Sequence, residues 1–417
     1  MRGKHRILII VVGICAIMLT VPFMASAQSH RSGYRHWPYQ PPPSTTTPGT
    51  TTPGTTTPGT TTPGTTTPGT TTPGTTTVTV PYLLLVSFYN GIINQSNLAS
   101  VKSTIAPQMN ASAYQGIAVM PIPWNVPYGG WSDMAWIEST GIGRVWPWVF
   151  TNRIVGCPSG TSCPSGFQNI VGVDVQNKAG ALQNFYDLWT AALVEAKNMG
   201  TPGIVLDVEP YNDSNTYNMS YVQQKTGMTS TQLDTTLRDI GHHLTDIVNQ
   251  VYPNAVILSL SATLMWQDNT WSRLQIGILE QAKSTSSKMQ FVELGEDSLG
   301  YCFSDLNDLN SKISYRQNQY APFLSQYPHL KLGGTIAPWH NVALKTGWMT
   351  QGACGAAQMK TVSDFQPFFT KLLSVYDYVF IYAASAAGYD PFNSAIEPLY
   401  DTVLRASWAA ASKARGN

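Results

Sequence analysis

The chain of 417 residues carries 24 basic and 23 acidic side chains, a formal net charge of +1, and only 11% of its residues are charged. So even a balance, with no basic block, excludes nucleic acid as a partner, because that footprint needs clustered Lys and Arg. Neutral Ser, Thr, Asn, Gln and Tyr stand in for surface charge, a composition suited to work in acid, where carboxylates lose their charge.

In chain order the first element is a basic head, Met1-Arg-Gly-Lys4-His-Arg6, followed by an apolar run from Ile7 to Met24 and the small-x-small site Ala25-Ser-Ala27. This pattern predicts a cleaved secretory signal over residues 1–27, with an uncleaved anchor as the alternative. Downstream apolar runs are only strand length. Cys15 lies in the signal, which leaves Cys157, Cys163, Cys302 and Cys354 for the exported chain. In an oxidising compartment they imply two disulfides, a short Cys157–Cys163 staple and a Cys302–Cys354 bridge between distant loops. There is no CxxC pair and no HxxxH, so neither zinc nor any other cofactor is expected.

Residues 28–44 include Tyr34, His36, Trp37 and Tyr39 but are too few for a domain. They read as a short disordered segment, with an aromatic tag for cell-surface association as the alternative. Residues 45–74 are six perfect copies of Thr-Thr-Thr-Pro-Gly, and Thr75-Thr-Thr77 completes a linker over 45–77. It has nothing to bury, and proline at every fifth position keeps it extended, so it reads as a spacer.

Residues 78–417 are long enough for one large core. Short apolar, β-rich runs recur at 82–89, 116–122, 144–150, 203–207, 255–261, 289–294, 332–337 and 378–383. Helical periodicity fills the gaps at 97–108, 132–139, 178–198, 231–251, 270–284, 305–326 and 364–375, with a last helix over 393–413. Eight strand-then-helix repeats with strands apolar on both faces predict an α/β fold, a (β/α)8 TIM barrel. A doubly wound sheet would want a glycine-rich first turn, and Phe88-Tyr-Asn-Gly91 is not one. No Gly-x-Ser-x-Gly elbow or phosphate loop is present.

In this fold chemistry sits where strands end. The first three strands lead to Tyr89 and Asn90, then Trp124, then Trp146 and Trp148 with Asn152 and Arg153. Strand four ends in Asp207 and Glu209, strand five leads to Trp266, and strand six ends in Glu293 with Glu296 and Asp297 beyond. Trp339 and His340 follow strand seven, and Tyr382 closes strand eight. Indole faces stack on pyranose rings while amides, Arg and His grip hydroxyls, so these residues are the candidate sugar-binding set. Trp189 and Trp408, inside helical patterns, are assigned to the core.

Asp207 and Glu209 are spaced by one residue, so on a strand they share a face and Val208 points away. Two crowded carboxylates do not ionise independently, and one keeps a proton while the other is charged. The Asp-x-Glu that follows Gly203-Ile-Val-Leu resembles the end of the family 18 chitinase motif, and Leu-Asp-Val-Glu is also similar to family 25 lysozymes. The resemblance implies a barrel glycoside hydrolase whose acid is Glu209, with Asp207 assisting a substrate N-acetyl group or tuning the glutamate. The chain departs from both families. Gly203-Ile-Val205 stands where the chitinase motif has further aspartates, and Tyr382-Ala383 where a chitinase has tryptophan. Tyr89-Asn90 replaces the strand-one acid of family 25.

A second arrangement makes Glu293 the nucleophile or second carboxylate. A separation of ~5–5.5 Å from Glu209 would mean retention, and ~6.5–9.5 Å inversion through a water. The expectation is therefore a secreted, extracellular enzyme cleaving a polysaccharide or oligosaccharide. The alternative is a non-catalytic, lectin-like barrel at the cell surface.

Overall fold

In the computed structural model the described residues are 82–87, 98–119, 136–150, 175–176, 181–208, 217–261, 264, 268–296, 305–336, 338–340, 348–350, 359–360, 366–383 and 398–415. All belong to the compact unit Thr77–Asn417. The signal, the 28–44 segment, the repeat linker and the expected disulfide partners Cys157, Cys163, Cys302 and Cys354 lie outside the described residues.

Parallel pairing joins β1 (Tyr82–Ser87), β2 (Gly116–Val119), β3 (Val145–Phe150), β4 (Gly203–Asp207), β5 (Val256–Ser259), β6 (Gln290–Glu293) and β7 (Leu330–Leu332) in chain order. β8 (Gly334–Ile336) pairs not with β7 but with β12 (Tyr378–Ala383), which itself pairs with β1. Between β8 and β12, the strands β9 (Pro338–His340), β10 (Trp348–Thr350) and β11 (Met359–Lys360) form a separate antiparallel sheet. Of β1 and β9 to β11 the backbone alone is described.

The closure turns on one residue. Only Gly333 separates β7, held by β6, from β8, held by β12, so a single bent strand joins both ends of the ladder. The result is the expected eight-stranded parallel barrel. Gly333 N–H donates to the Glu293 carbonyl at 2.9 Å. A Cβ at Gly333 would lie 2.6 Å from Leu294 Cδ2 and 2.9 Å from the Tyr378 carbonyl, so the bend admits no side chain without a shift.

Side chains alternate along each strand and so divide into two sets. Ile117, Val145, Val149, Ile204, Leu206, Ile257 and Phe291 belong to the core under the helices. Their neighbours Ala118, Trp146, Trp148, Val205, Leu258 and Val292 are buried on the opposite, axial face. Strands apolar on both faces are what a barrel covered by helices requires.

Among the described residues the α-helices of six residues or more are α1 (Ala106–Ala111), α2 (Ala181–Asn198), α3 (Met219–Thr226), α4 (Ser230–Val251), α5 (Thr270–Ser284), α6 (Leu306–Gln326), α7 (Gln366–Val375) and α8 (Pro398–Ala414). A capping box starts α4, with Thr229 and Gln232 satisfying each other's backbone amides. The helix expected over 132–139 is, among the described residues, only the 3-10 turn Glu138–Thr140, and α3 lies where no helix was expected. Helices α4 and α5 cross at two glycines: a Cβ on Gly241 would fall 2.2 Å from the Leu274 carbonyl, and one on Gly277 2.3 Å from the Arg238 carbonyl. Gly277→Ala is therefore expected to force the helices apart and cost about 1–3 kcal/mol, read by chemical denaturation.

One buried acid makes stability depend on pH. Glu195 on α2 is 4% exposed, and one of its oxygens has no hydrogen-bond partner. Burial, and then the charge of Glu138, push its carboxyl up from 4.5 to about 7, only partly offset by the Glu138 backbone amide. Between these values the folded chain holds a proton that the unfolded chain has released, so stability falls as pH rises from 4.5 to about 7. Below that window both states are protonated and the difference vanishes. The loss above it reaches as much as about 3 kcal/mol. Glu195→Gln is expected to unfold at a higher temperature than the parent at pH 8 and at the same temperature at pH 4.

Candidate active site

Asp207 ends β4 and is fully buried. Its strand neighbours Leu206 and Val208 belong to the helix-facing core, so Asp207 takes the axial face, as Val205 does below it. Register places Asp207 level with Phe150, and Val205 level with Trp148. A barrel interior is normally filled by branched apolar side chains. A carboxylate sealed there must be held by hydrogen bonds or charge. Val208 turns outward, and its carbonyl accepts the Tyr217 hydroxyl at 2.9 Å. Glu209 lies outside the described residues, as do Tyr89, Asn90, Trp124, Asn152, Arg153 and Trp266.

Two tryptophans expected as sugar platforms take another place. Trp146 is fully buried and meets Tyr378 edge-on, with centroids 6.4 Å apart, at the start of β12. Trp148 is 2% exposed and lies one layer below Asp207. Both rings fill the barrel interior beneath the mouth, because alternate residues of β3 face the axis. The assignment of Trp189 to the core holds: it is buried and its indole N–H donates to the Leu244 carbonyl at 3.2 Å. Trp339 and His340 stand on β9, paired with Met349 and Trp348, and Tyr382 on β12 pairs with Val86; their side chains are outside what is described.

Glu293 also differs from expectation. It is level with Ser259, as Phe291 is with Ile257, and both partners face the helices. Ser259 there meets Gln275 Nε2 of α5 at 3.1 Å. The Glu293 side chain therefore stands on the helix-facing side of β6, fully buried, and accepts the Leu264 amide at 3.2 Å. The expectation of a carboxylate looking across the mouth is corrected by one step of alternation, since it is Val292 that faces the axis. Beyond it Gly295 takes φ +71°, and the Glu296 amide rejoins the ladder on the Leu260 carbonyl at 2.8 Å. Glu296, beyond the strand end, is 4% exposed at this edge.

The loops after β4 and β5 are tied together. Asn218 and Asn269 form an antiparallel bridge between them. Asn218 caps α3 through the Tyr221 amide, and Asn269 caps α5 through the amides of Trp271 and Ser272. Sequence reasoning missed this bridge, since Asn before a helix signals a cap but not a partner. It also missed Arg316 of α6. This guanidinium is 1% exposed, donates to the Glu293 and Gly333 carbonyls, and lies 5.5 Å and 5.8 Å from the Tyr320 and Tyr376 ring centres. A lone charge in a helical pattern gives no signal that separates a buried clamp from a solvated face.

Among the described residues no cluster of His, Cys, Asp or Glu is arranged to hold a metal. Nor, among them, is any helix long and apolar enough to cross a membrane.

The architecture is that of a closed parallel (β/α)8 barrel. No family model matches the chain, and no curated protein matches it. Solved structures with a similar course include a family 18 chitinase, ChiB, from Flavobacterium johnsoniae, at 8% identity and TM-score 0.41, covering 79% of this chain and 94% of that one. A family 5 broad-specificity endoglucanase from an uncultured bacterium is 10% identical with TM-score 0.42, covering 78% and 85%. A 3-keto-D-glucoside 4-epimerase from E. coli is 11% identical with TM-score 0.39, covering 79% and 99%. Glycoside hydrolases and an epimerase thus appear side by side, and likenesses this distant assign no reaction.

Proposed function

We propose that the chain is a secreted glycoside hydrolase that cleaves an extracellular polysaccharide or oligosaccharide. The observation that supports this most directly is Asp207, a carboxylate buried on the axial face at the carboxyl end of β4. That is the end of the barrel where active sites are built. Glu209, two residues further on, is proposed as the acid/base: it protonates the glycosidic oxygen as that bond breaks, while an N-acetyl oxygen of the substrate, oriented by Asp207, closes onto the anomeric carbon. Glu209 then takes a proton from the water that opens this intermediate. Asp207 is its partner, and its negative charge favours retention of the proton on Glu209 until substrate binds. The bound sugar would be gripped by Tyr89, Asn90, Trp124, Asn152, Arg153, Trp266, Trp339, His340 and Tyr382. The repeat linker would act as a spacer, and the segment 28–44 would be the part available for cell-surface association.

The test is release of new reducing ends from a panel of polysaccharides by the full chain, at acid and neutral pH. Release identifies the substrate. Saccharide binding without release from any member would replace this reading with the lectin-like one.

A further inference from the structure

Glu293 closes β6 at the barrel end where chemistry is expected, yet its side chain is turned away from the axis. A buried carboxylate on that side needs a structural reason, because its desolvation is costly. The reason lies in what it holds. Its carboxylate accepts the Leu264 amide at 3.2 Å, in the stretch between β5 and α5, and Leu264 is itself fully buried in the helix-facing core. The stretch ends at Asn269, which bridges to Asn218 in the loop after β4, and Tyr217 beside it is tied back to the Val208 carbonyl, next to Asp207. Glu293 is held in turn. The Arg316 guanidinium and the Gly333 amide both donate to its carbonyl, so its backbone is pinned where the barrel closes.

We propose that Glu293 is a positioning residue that fixes the rim between strands four and six from the helix side, and through that rim the surroundings of Asp207. Its role toward turnover rests on the glycosidase reading; its hold on the loop does not. A glutamine at this position keeps an acceptor for the Leu264 amide, whereas an alanine keeps none.

The experiment compares Glu293→Gln and Glu293→Ala in the full chain by amide hydrogen exchange and by steady-state kinetics on whichever polysaccharide the wild type cleaves. Glu293→Ala is expected to speed exchange over residues 260–269 by about tenfold, the loss of one buried hydrogen bond. It should raise KM more than it lowers kcat, while Glu293→Gln stays near wild type in both. Should Glu293→Ala fail to fold, Glu293→Asp, one methylene too short to reach the amide, replaces it with the same expectation. Unchanged exchange over 260–269 in the alanine or aspartate variant overturns the proposal. So does loss of turnover in Glu293→Gln with exchange unchanged, because the carboxylate would then act in the chemistry. Exchange is read without substrate, so a wild type that cleaves nothing removes the glycosidase reading and leaves the loop assignment to be decided by exchange alone.

Discussion

Glu209→Gln is expected to lower reducing-end release by about 10²–10⁴-fold, the usual contribution of one positioned proton donor. Glutamine has the same shape and still hydrogen-bonds, but it has no acidic proton to pass to the leaving oxygen. The loss should therefore fall on kcat, with KM or saccharide affinity close to the parent's, since the ground state keeps its contacts. Asp207→Asn tests the other half of the pair. It keeps the volume of a side chain that is fully buried on the barrel axis, and it removes the charge beside Glu209. A smaller loss of turnover, with the alkaline limb of the pH–rate profile moved to lower pH because Glu209 gives up its proton more readily, is the expected signature. Equal release by wild type and Glu209→Gln would remove Glu209 from the reaction.

Arg316→Met is expected to destabilise the fold markedly. The guanidinium is 1% exposed and donates to the carbonyls of Glu293 and Gly333, on either side of the point where the ladder closes. Methionine fills much of the volume but leaves the Gly333 carbonyl without this donor at a bend where the neighbouring strand changes. Loss of a buried charge-assisted bond and of two ring contacts together costs on the order of 3 kcal/mol. Arg316→Lys should fall between, because an ammonium cannot span two carbonyls as the planar fork does. Chemical denaturation read by tryptophan fluorescence measures the loss. An Arg316→Met protein as stable as the parent would mean that desolvating the guanidinium costs as much as its contacts return.

Much of the barrel was legible because its strands are apolar on both faces and its helices amphipathic on one. The run at 203–207 and the helix at 270–284 coincide with their expected bounds. Where the reading slipped, tertiary contacts decided. The seventh strand begins two residues earlier than expected and is broken at Gly333, since it must leave β6 and join β12 within seven residues, from Leu330 to Ile336. Helix α3 is only eight residues long and depends on the Asn218 cap and bridge rather than on a long apolar period. Trp146 and Trp148 show the limit for the site: a tryptophan at a strand end has the same composition signal whether it lines the mouth or plugs the interior beneath it.

By itself the sequence determined the class of fold and the strand that ends in Asp207. These rest on local chemistry: periodicity and alternation. Only the tertiary structure decided on which face of β6 Glu293 stands, which tryptophans are sealed inside, and that Arg316 pins the closure. Those depend on register between strands distant in sequence, where a shift of one residue exchanges the axis for the helix layer.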